Sequence, residues 1–138
     1  RGKCRHLHGH NGRVEVELHS PRLNSMGMVL DFEEIKKQIQ VWIDEKLDHK
    51  MILKKRDPAV PLLKKLGEPL YLLMNNPTAE NIAREIFEAA RKKGLPVSRV
   101  SLWETDKSYI SENFKFKDKC VLHSAFTGLC ITGSLVSG

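Results

Sequence analysis

Apolar and polar residues alternate strictly along RVEVELH (13–19), with Val14, Val16 and Leu18 on one side and Glu15, Glu17 and His19 on the other. A period of two with one apolar side predicts a β-strand with one buried face. SPRLNSMG follows, and its Pro21, Asn24 and Gly27 mark a turn or loop. The period then changes. In MVLDFEEIKKQIQVWIDEKLDH the residues Phe32, Ile35, Ile39, Ile43 and Leu47 recur at helical spacing, while Lys36, Lys37, Gln40 and Glu45 fall on the solvent side. This predicts a helix of about four turns, opened by Asp31 with Glu34 in a capping-box arrangement.

Between Met51 and Asn76 the periodicity breaks up. Pro58, Pro61, Gly67 and Pro69 bracket VPLLKKL, read as one short helical turn, and PLYLLM, read as a short strand. NNPTAENIAREIFEAARKKG restores a helix, with Asn76 or Thr78 as its cap, Pro77 in its first turn and Gly94 as its stop. Ile82, Ile86, Phe87 and Ala90 form its apolar stripe. VSRVSLWETD and SYISENFKF predict an antiparallel hairpin turning at Asp106 and Lys107. The tail CVLHSAFTGLCITGSLVSG is apolar and nearly uncharged, and fits either a strand pair or a loosely ordered extension. Strand, helix, helix, strand, strand is the order of an α+β domain, with two helices packed on one face of an antiparallel sheet.

Composition agrees with one domain: 138 residues, 41% hydrophobic and 29% charged, suffice for a single core. A net charge of +6 and a pI near 9.3 favour an anionic partner. The basic residues are spread as KK, KKR and RKK along amphipathic stretches, which reads as a solvated surface, so a nucleic-acid partner is not expected. Cys4, Cys120 and Cys130 make no even disulfide framework, which fits a reducing cytoplasm. No apolar run reaches the roughly 18 residues of a membrane span, and the N-terminus lacks a signal-peptide core. The chain opens on RGK without Met, so residues upstream are expected.

The candidate chemistry concentrates in CRHLHGHN (4–11). His8 and His10, two residues apart in extended backbone, emerge on one face and can grip one metal ion, for which zinc suits imidazoles best. A catalytic zinc needs three protein ligands, and only two stand here. The other reading is a surface histidine pair. Cys4 beside them is a thiolate candidate, or else a small buried hydrophobe. In LDHK, Asp48 can orient and tune His49, although adjacent helical residues do not face one another and His49 also suits a helix C-terminus. Glu104, in LWETD, shares a face with Val100 and Leu102, where a carboxylate requires a salt bridge or a ligand's hydrogen-bond donors.

CRHLHGHN, GMVLDF, LDHK, NPTAEN and WETD, in this order and at these intervals, resemble the 6-pyruvoyltetrahydropterin synthase and 6-carboxytetrahydropterin synthase (QueD) superfamily over roughly Lys3 to Tyr109. The resemblance implies a tunnel fold (T-fold), in which two-helix, four-strand subunits join as trimers around a barrel and pair into hexamers. It implies a cytoplasmic enzyme acting on 7,8-dihydroneopterin triphosphate, whose phosphates suit the basic balance. It assigns His8 and His10 to two of three zinc positions and Cys4 to the catalytic cysteine. Asp48 and His49 become the pair that works with it from a neighbouring subunit. Glu104 becomes the anchor of the pterin's amino-pyrimidine edge, and Thr78 with Glu80 lies along the same pocket. His6 matches no ligand position.

The spacing C-x3-H-G-H resembles the carboxytetrahydropterin synthase branch, whose lyase reaction releases acetaldehyde and triphosphate in the queuosine or archaeosine precursor pathway. The animal pyruvoyl enzymes carry two more residues there, and a folate-precursor branch carries Glu in place of Cys4. A pyruvoyl synthase is thus the alternative product, and a non-catalytic pterin-binding or structural zinc protein the alternative class. The family's first zinc histidine precedes the cysteine, so the third ligand is expected upstream of the given chain. His123 in the tail is a second candidate, if the tail takes the place of the absent N-terminal strand. On this reading residues 1–116 are the T-fold domain and 117–138 an extension or replacement strand.

Overall fold

In the computed structural model the described residues are 7–105, 108–113 and 121–133, with side chains described for 7–103 and 109–111. The alternation of the first segment folds as expected. β1 (His8–His19) buries Val14, Val16 and Leu18 completely, and its other face is partly exposed.

The first helix is interrupted. α1 (Phe32–Ile35) passes into a π-helical turn, Lys36–Gln40, before α2 (Val41–Lys46) completes it. The spacing of the buried residues accounts for this. Ile35, Ile39, Ile43 and Leu47 are four residues apart, all at most 2% exposed. In an α-helix each four-residue step overshoots a full turn by roughly 40°. A wider i→i+5 turn takes up part of that drift and keeps the stripe on the core. Asp31 caps the start by accepting from the Glu33 amide at 2.8 Å. Glu34 does not return the capping-box bond to Asp31, since its carboxylate accepts from Gln38 Nε2 instead.

The middle of the chain departs most from expectation. β2 (Lys50–Lys54), which the periodicity does not predict, runs parallel to β3 (Leu70–Leu73), with α3 (Val60–Lys65) between them. Ile52, Tyr71 and Leu73 join the main core, while Met51, Leu53, Leu70 and Leu72 join a second cluster with Val60 and Leu63 of α3. The two strands are therefore covered on both faces, which is why LYLL reads as a continuous apolar run without alternation. The two long helices share the main core on one face, as expected, and α3, expected as a short helical turn, covers the opposite face.

α4 (Ala79–Lys92) is capped by Thr78, whose Oγ1 accepts from the Asn81 amide. It ends in a Schellman motif. Gly94, at φ +80°, donates to Arg91 O, and Leu95 donates to Ala90 O. β4 (Val97–Thr105) and β5 (Ser108–Asn113) form the expected antiparallel pair; the turn at Asp106 and Lys107 lies outside the described residues.

The tail forms one long strand, β6 (Val121–Gly133), in the middle of the sheet. The strand order is β3-β2-β6-β1-β4-β5, with β6 antiparallel to β1 along twelve residue pairs. Against β2, β6 runs parallel through only Lys50↔Ile131, Met51↔Thr132 and Ile52↔Gly133. The sheet is thus mixed, not antiparallel throughout, and has six strands among the described residues where the resemblance implies four. Among the described residues no helix is long and apolar enough to cross a membrane.

Tyr71 ties the two long helices to the sheet. Its ring meets Trp42 edge-on at 6.3 Å, and its hydroxyl donates to Glu85 at 3.0 Å. Burial, with the Glu85 carboxylate beside it, pushes the phenol up to about 12 from 10.0. The folded state therefore holds this proton more tightly than the unfolded chain. Its stabilising effect is complete below pH 10 and is lost as pH rises toward 12. In chemical denaturation from pH 9 to about 12, Tyr71→Phe should lose stability less steeply than the parent protein; parallel curves would show that Tyr71 does not supply the slope.

Candidate functional site

β1 has no extra residue of its own, because the register shifts against β6 and β4 leave the extra residues in those strands. The alternation that buries Val14, Val16 and Leu18 therefore continues backward through Gly12 to His10 and His8. The histidine pair sits on the core-facing side of the strand, half-buried, with its rings edge-to-face and 4.6 Å between centroids. Two imidazoles so placed fit adjacent positions around one zinc ion. Among the described residues no group of three His, Cys, Asp or Glu side chains converges on a metal position, and the pair stands as two candidate ligands. Cys4 and His6 lie outside the described residues.

His123 does not stand near the pair. The register puts it opposite Glu17, seven residues along β1 from His10, or roughly 23 Å at strand rise. Within one chain it is too distant to complete a site with His8 and His10. The β6 positions facing His8, Gly9 and His10 are Gly133, Thr132 and Ile131, none of them a usual zinc ligand.

The doubt about adjacent helical residues is resolved by where the helix stops. α2 ends at Lys46, and Asp48 and His49 lie in the turn that follows, with His49 at φ +53°. That left-handed conformation is uncommon outside glycine and turns the chain sharply. It lets the imidazole fold back on its neighbour: His49 Nδ1 lies 2.7 Å from Asp48 Oδ2. A carboxylate can only accept, so the bond places a proton on Nδ1 and leaves Nε2 as the outward nitrogen. The His49 side chain is 79% exposed and the Asp48 side chain 22%. The carboxylate is held and the ring is presented.

These groups share one end of the sheet. Lys50, next to His49, pairs with Ile131, which in turn pairs with His10, so two strand spacings, or about 10 Å, separate these backbones. Glu104 lies at the same end. The β1–β4 ladder reaches its limit at Arg13↔Trp103, and Glu104 is the next residue of β4. It is also a bulge residue: Trp103 pairs with Tyr109 and Thr105 with Ser108, leaving Glu104 with no residue opposite it in β5. The simple alternation with Val100 and Leu102 is thus interrupted at Glu104. Thr78 serves the cap of α4, and Glu80 is exposed in its first turn.

The sequence reading passed over a set of residues on the other face of the same strands. Opposite the core, Glu17 accepts from Ser98 Oγ at 2.7 Å and Arg99 Nη2 at 2.5 Å. Ser101 and Ser111 share a hydrogen bond at 2.8 Å. At the rung nearest Glu104, the Arg13 guanidinium lies 4.5 Å from the Trp103 ring centroid, and Trp103 stacks on Tyr109 at 4.1 Å. The signal was the odd-numbered alternation of β1 and β4, which puts Arg13 and Trp103 on one side once the register is known.

The model of the family described as 6-pyruvoyl tetrahydropterin synthase matches residues 1–113. A 6-carboxy-5,6,7,8-tetrahydropterin synthase of Rickettsia bellii is 36% identical over 115 residues, covering 78% of this chain and 83% of that protein. The 6-pyruvoyl tetrahydrobiopterin synthase of Drosophila melanogaster is 34% identical over 116 residues, covering 80% of this chain and 61% of its own length. A crystal structure of an uncharacterized protein from Wolinella succinogenes superposes with a TM-score of 0.70 at 30% identity, covering 81% of each chain. With His8, His10, the Asp48–His49 pair and the Glu104 backbone at one end of the sheet and its match extending over most of its length, the chain belongs to the 6-pyruvoyl tetrahydropterin synthase family.

Proposed function

We propose that the protein is a zinc-dependent 6-carboxytetrahydropterin synthase, converting 7,8-dihydroneopterin triphosphate to 6-carboxytetrahydropterin with release of acetaldehyde and triphosphate. The observation that carries this reading is the convergence of His8 and His10, the Asp48–His49 pair and Glu104 on one sheet end. The similarity to relatives named as carboxy synthases supports the branch, as does the short C-x3-H-G-H spacing.

His8 and His10 would hold the zinc with a third ligand from outside the described residues, and the metal when bound would supply Lewis acidity at the substrate's side-chain oxygens. Cys4, four residues before His8 in the motif, is the thiolate that moves protons at the side-chain carbons. His49 is its counterpart. The Asp48 bond fixes its tautomer, so that Nε2 can accept or return a proton. Glu104 would accept from the amino-pyrimidine edge and hold the ring still while the side chain reacts. Thr78 and Glu80 would lie along the same pocket, and the surplus of basic residues suits a triphosphate.

We also place the chain in a cytoplasmic oligomer of the T-fold type, a trimeric barrel paired into a hexamer. The sheet's outer strands, β3 and β5, each have one side without a ladder partner among the described residues, which supports closure between copies. In such an assembly the His49 presented by one subunit would serve the Cys4 of a neighbour. Light scattering should then give a mass of about six times 15.8 kDa. A single-chain mass at working concentration would end the assembly proposal.

Incubation with 7,8-dihydroneopterin triphosphate should release acetaldehyde and give a 6-carboxy product. A three-carbon side chain retained without acetaldehyde would identify a pyruvoyl synthase, the reading that the Drosophila similarity favours. Cys4→Ala should lower kcat on the order of 10²-fold or more; full turnover in that variant would remove the thiol from the mechanism. Metal analysis of the purified protein should find about one zinc per chain, and His8→Ala should lose most of it. Zinc retained by His8→Ala would exclude the histidine pair as ligands and favour a structural or non-catalytic role for the metal.

A further inference from the structure

Glu104 stands where the sheet's backbone gives it least support. On one side the ladder to β1 reaches its limit at Trp103, and on the other the register to β5 slips between Trp103 and Thr105. A bulge residue has no fixed partner, so its backbone direction depends on how firmly the preceding rung is held.

That preceding rung differs from the others on its face. The next rung is a serine pair and the one beyond it an ion pair, both polar contacts. At the bulge, Arg13 of β1, Trp103 of β4 and Tyr109 of β5 stack in sequence across three strands at one level. The two rings are only 18° from parallel, and Arg13 is tied to its own strand by an ion pair to Glu15 at 3.1 Å. One of the chain's two tryptophans and one of its two tyrosines are placed here. Tyr109 is 55% exposed on an outer strand, so the stack adds little to the core. Flat groups in face contact resist sliding and twisting between strands, which hydroxyl pairs do not.

We propose that Arg13, Trp103 and Tyr109 form a clamp that fixes the backbone at Glu104, making them positioning residues for recognition of the pterin ring. The inference rests on the reading of Glu104 as the ring's anchor. On this proposal the three residues act through the β4 backbone at Glu104 and not by contact with the ring.

The test is binding of 7,8-dihydroneopterin, which carries the ring without the phosphates, to the full chain, followed by fluorescence titration. Tyr109→Ala should weaken binding about tenfold with its melting temperature nearly unchanged, and Tyr109→Phe, which keeps the stacking ring, should restore it to within about twofold. In a Glu104→Gln background, Tyr109→Ala should add less than about twofold, because the group it positions is already lost. Equal binding by Tyr109→Ala and the parent protein would overturn the clamp alone, as would a full tenfold effect persisting in the Glu104→Gln background. Failure of the parent protein to bind dihydroneopterin would instead remove the pterin reading, and the clamp with it.

Discussion

β1 cannot bury Val14, Val16 and Leu18 without turning His8 and His10 to the same side, because side chains alternate and the strand has no extra residue of its own to reset the phase. One constraint thus fixes both the core and the side to which the histidine pair points. A one-residue slip of β1 would expose three fully buried side chains and move both imidazoles to the opposite face. The apolar half of the strand therefore guarantees the orientation of its polar end, which has few buried contacts of its own to enforce it.

The same dependence explains what could be read from the chain in advance. β1, the α1–α2 helix and α4 were legible because each has one buried face, and one buried face writes a period into the sequence. β2 was not read at all, and β3 was read as a short strand only from its apolar run and the breakers around it. Both their faces are covered, so MIL and LYLL carry apolarity without period, and nothing local distinguishes parallel from antiparallel pairing. The π turn was hidden for another reason. Its signature is the strict four-residue interval from Ile35 to Leu47, which satisfies a helical template while drifting away from a true α stripe.

The site was legible by residue type and spacing, less so by arrangement. HGH on an extended strand was enough to put two imidazoles on one face. Whether Asp48 could reach His49 depended on a helix end and a left-handed residue, which periodicity places only to within a few positions. His123 shows the opposite failure. It had the right chemistry and lay on a strand beside β1, but only the pairing register shows it to be at the wrong end. Glu104 sits between these cases, correctly assigned to β4 but without the bulge at which it stands.

The junction between β6 and β2 is three residue pairs long, against twelve between β6 and β1. It carries β2, β3 and α3 on one side and the histidine pair on the other, and the Asp48–His49 turn leads directly into it. Short ladders open at lower free energy than long ones, so this seam is a natural place for local breathing. Its opening would vary the gap between His49 and His10 while leaving the ladders of β1 with β6 and β4 intact. The spacing between the Asp48–His49 turn and the histidine pair within one chain thus rests on three backbone pairs, the shortest ladder in the described sheet.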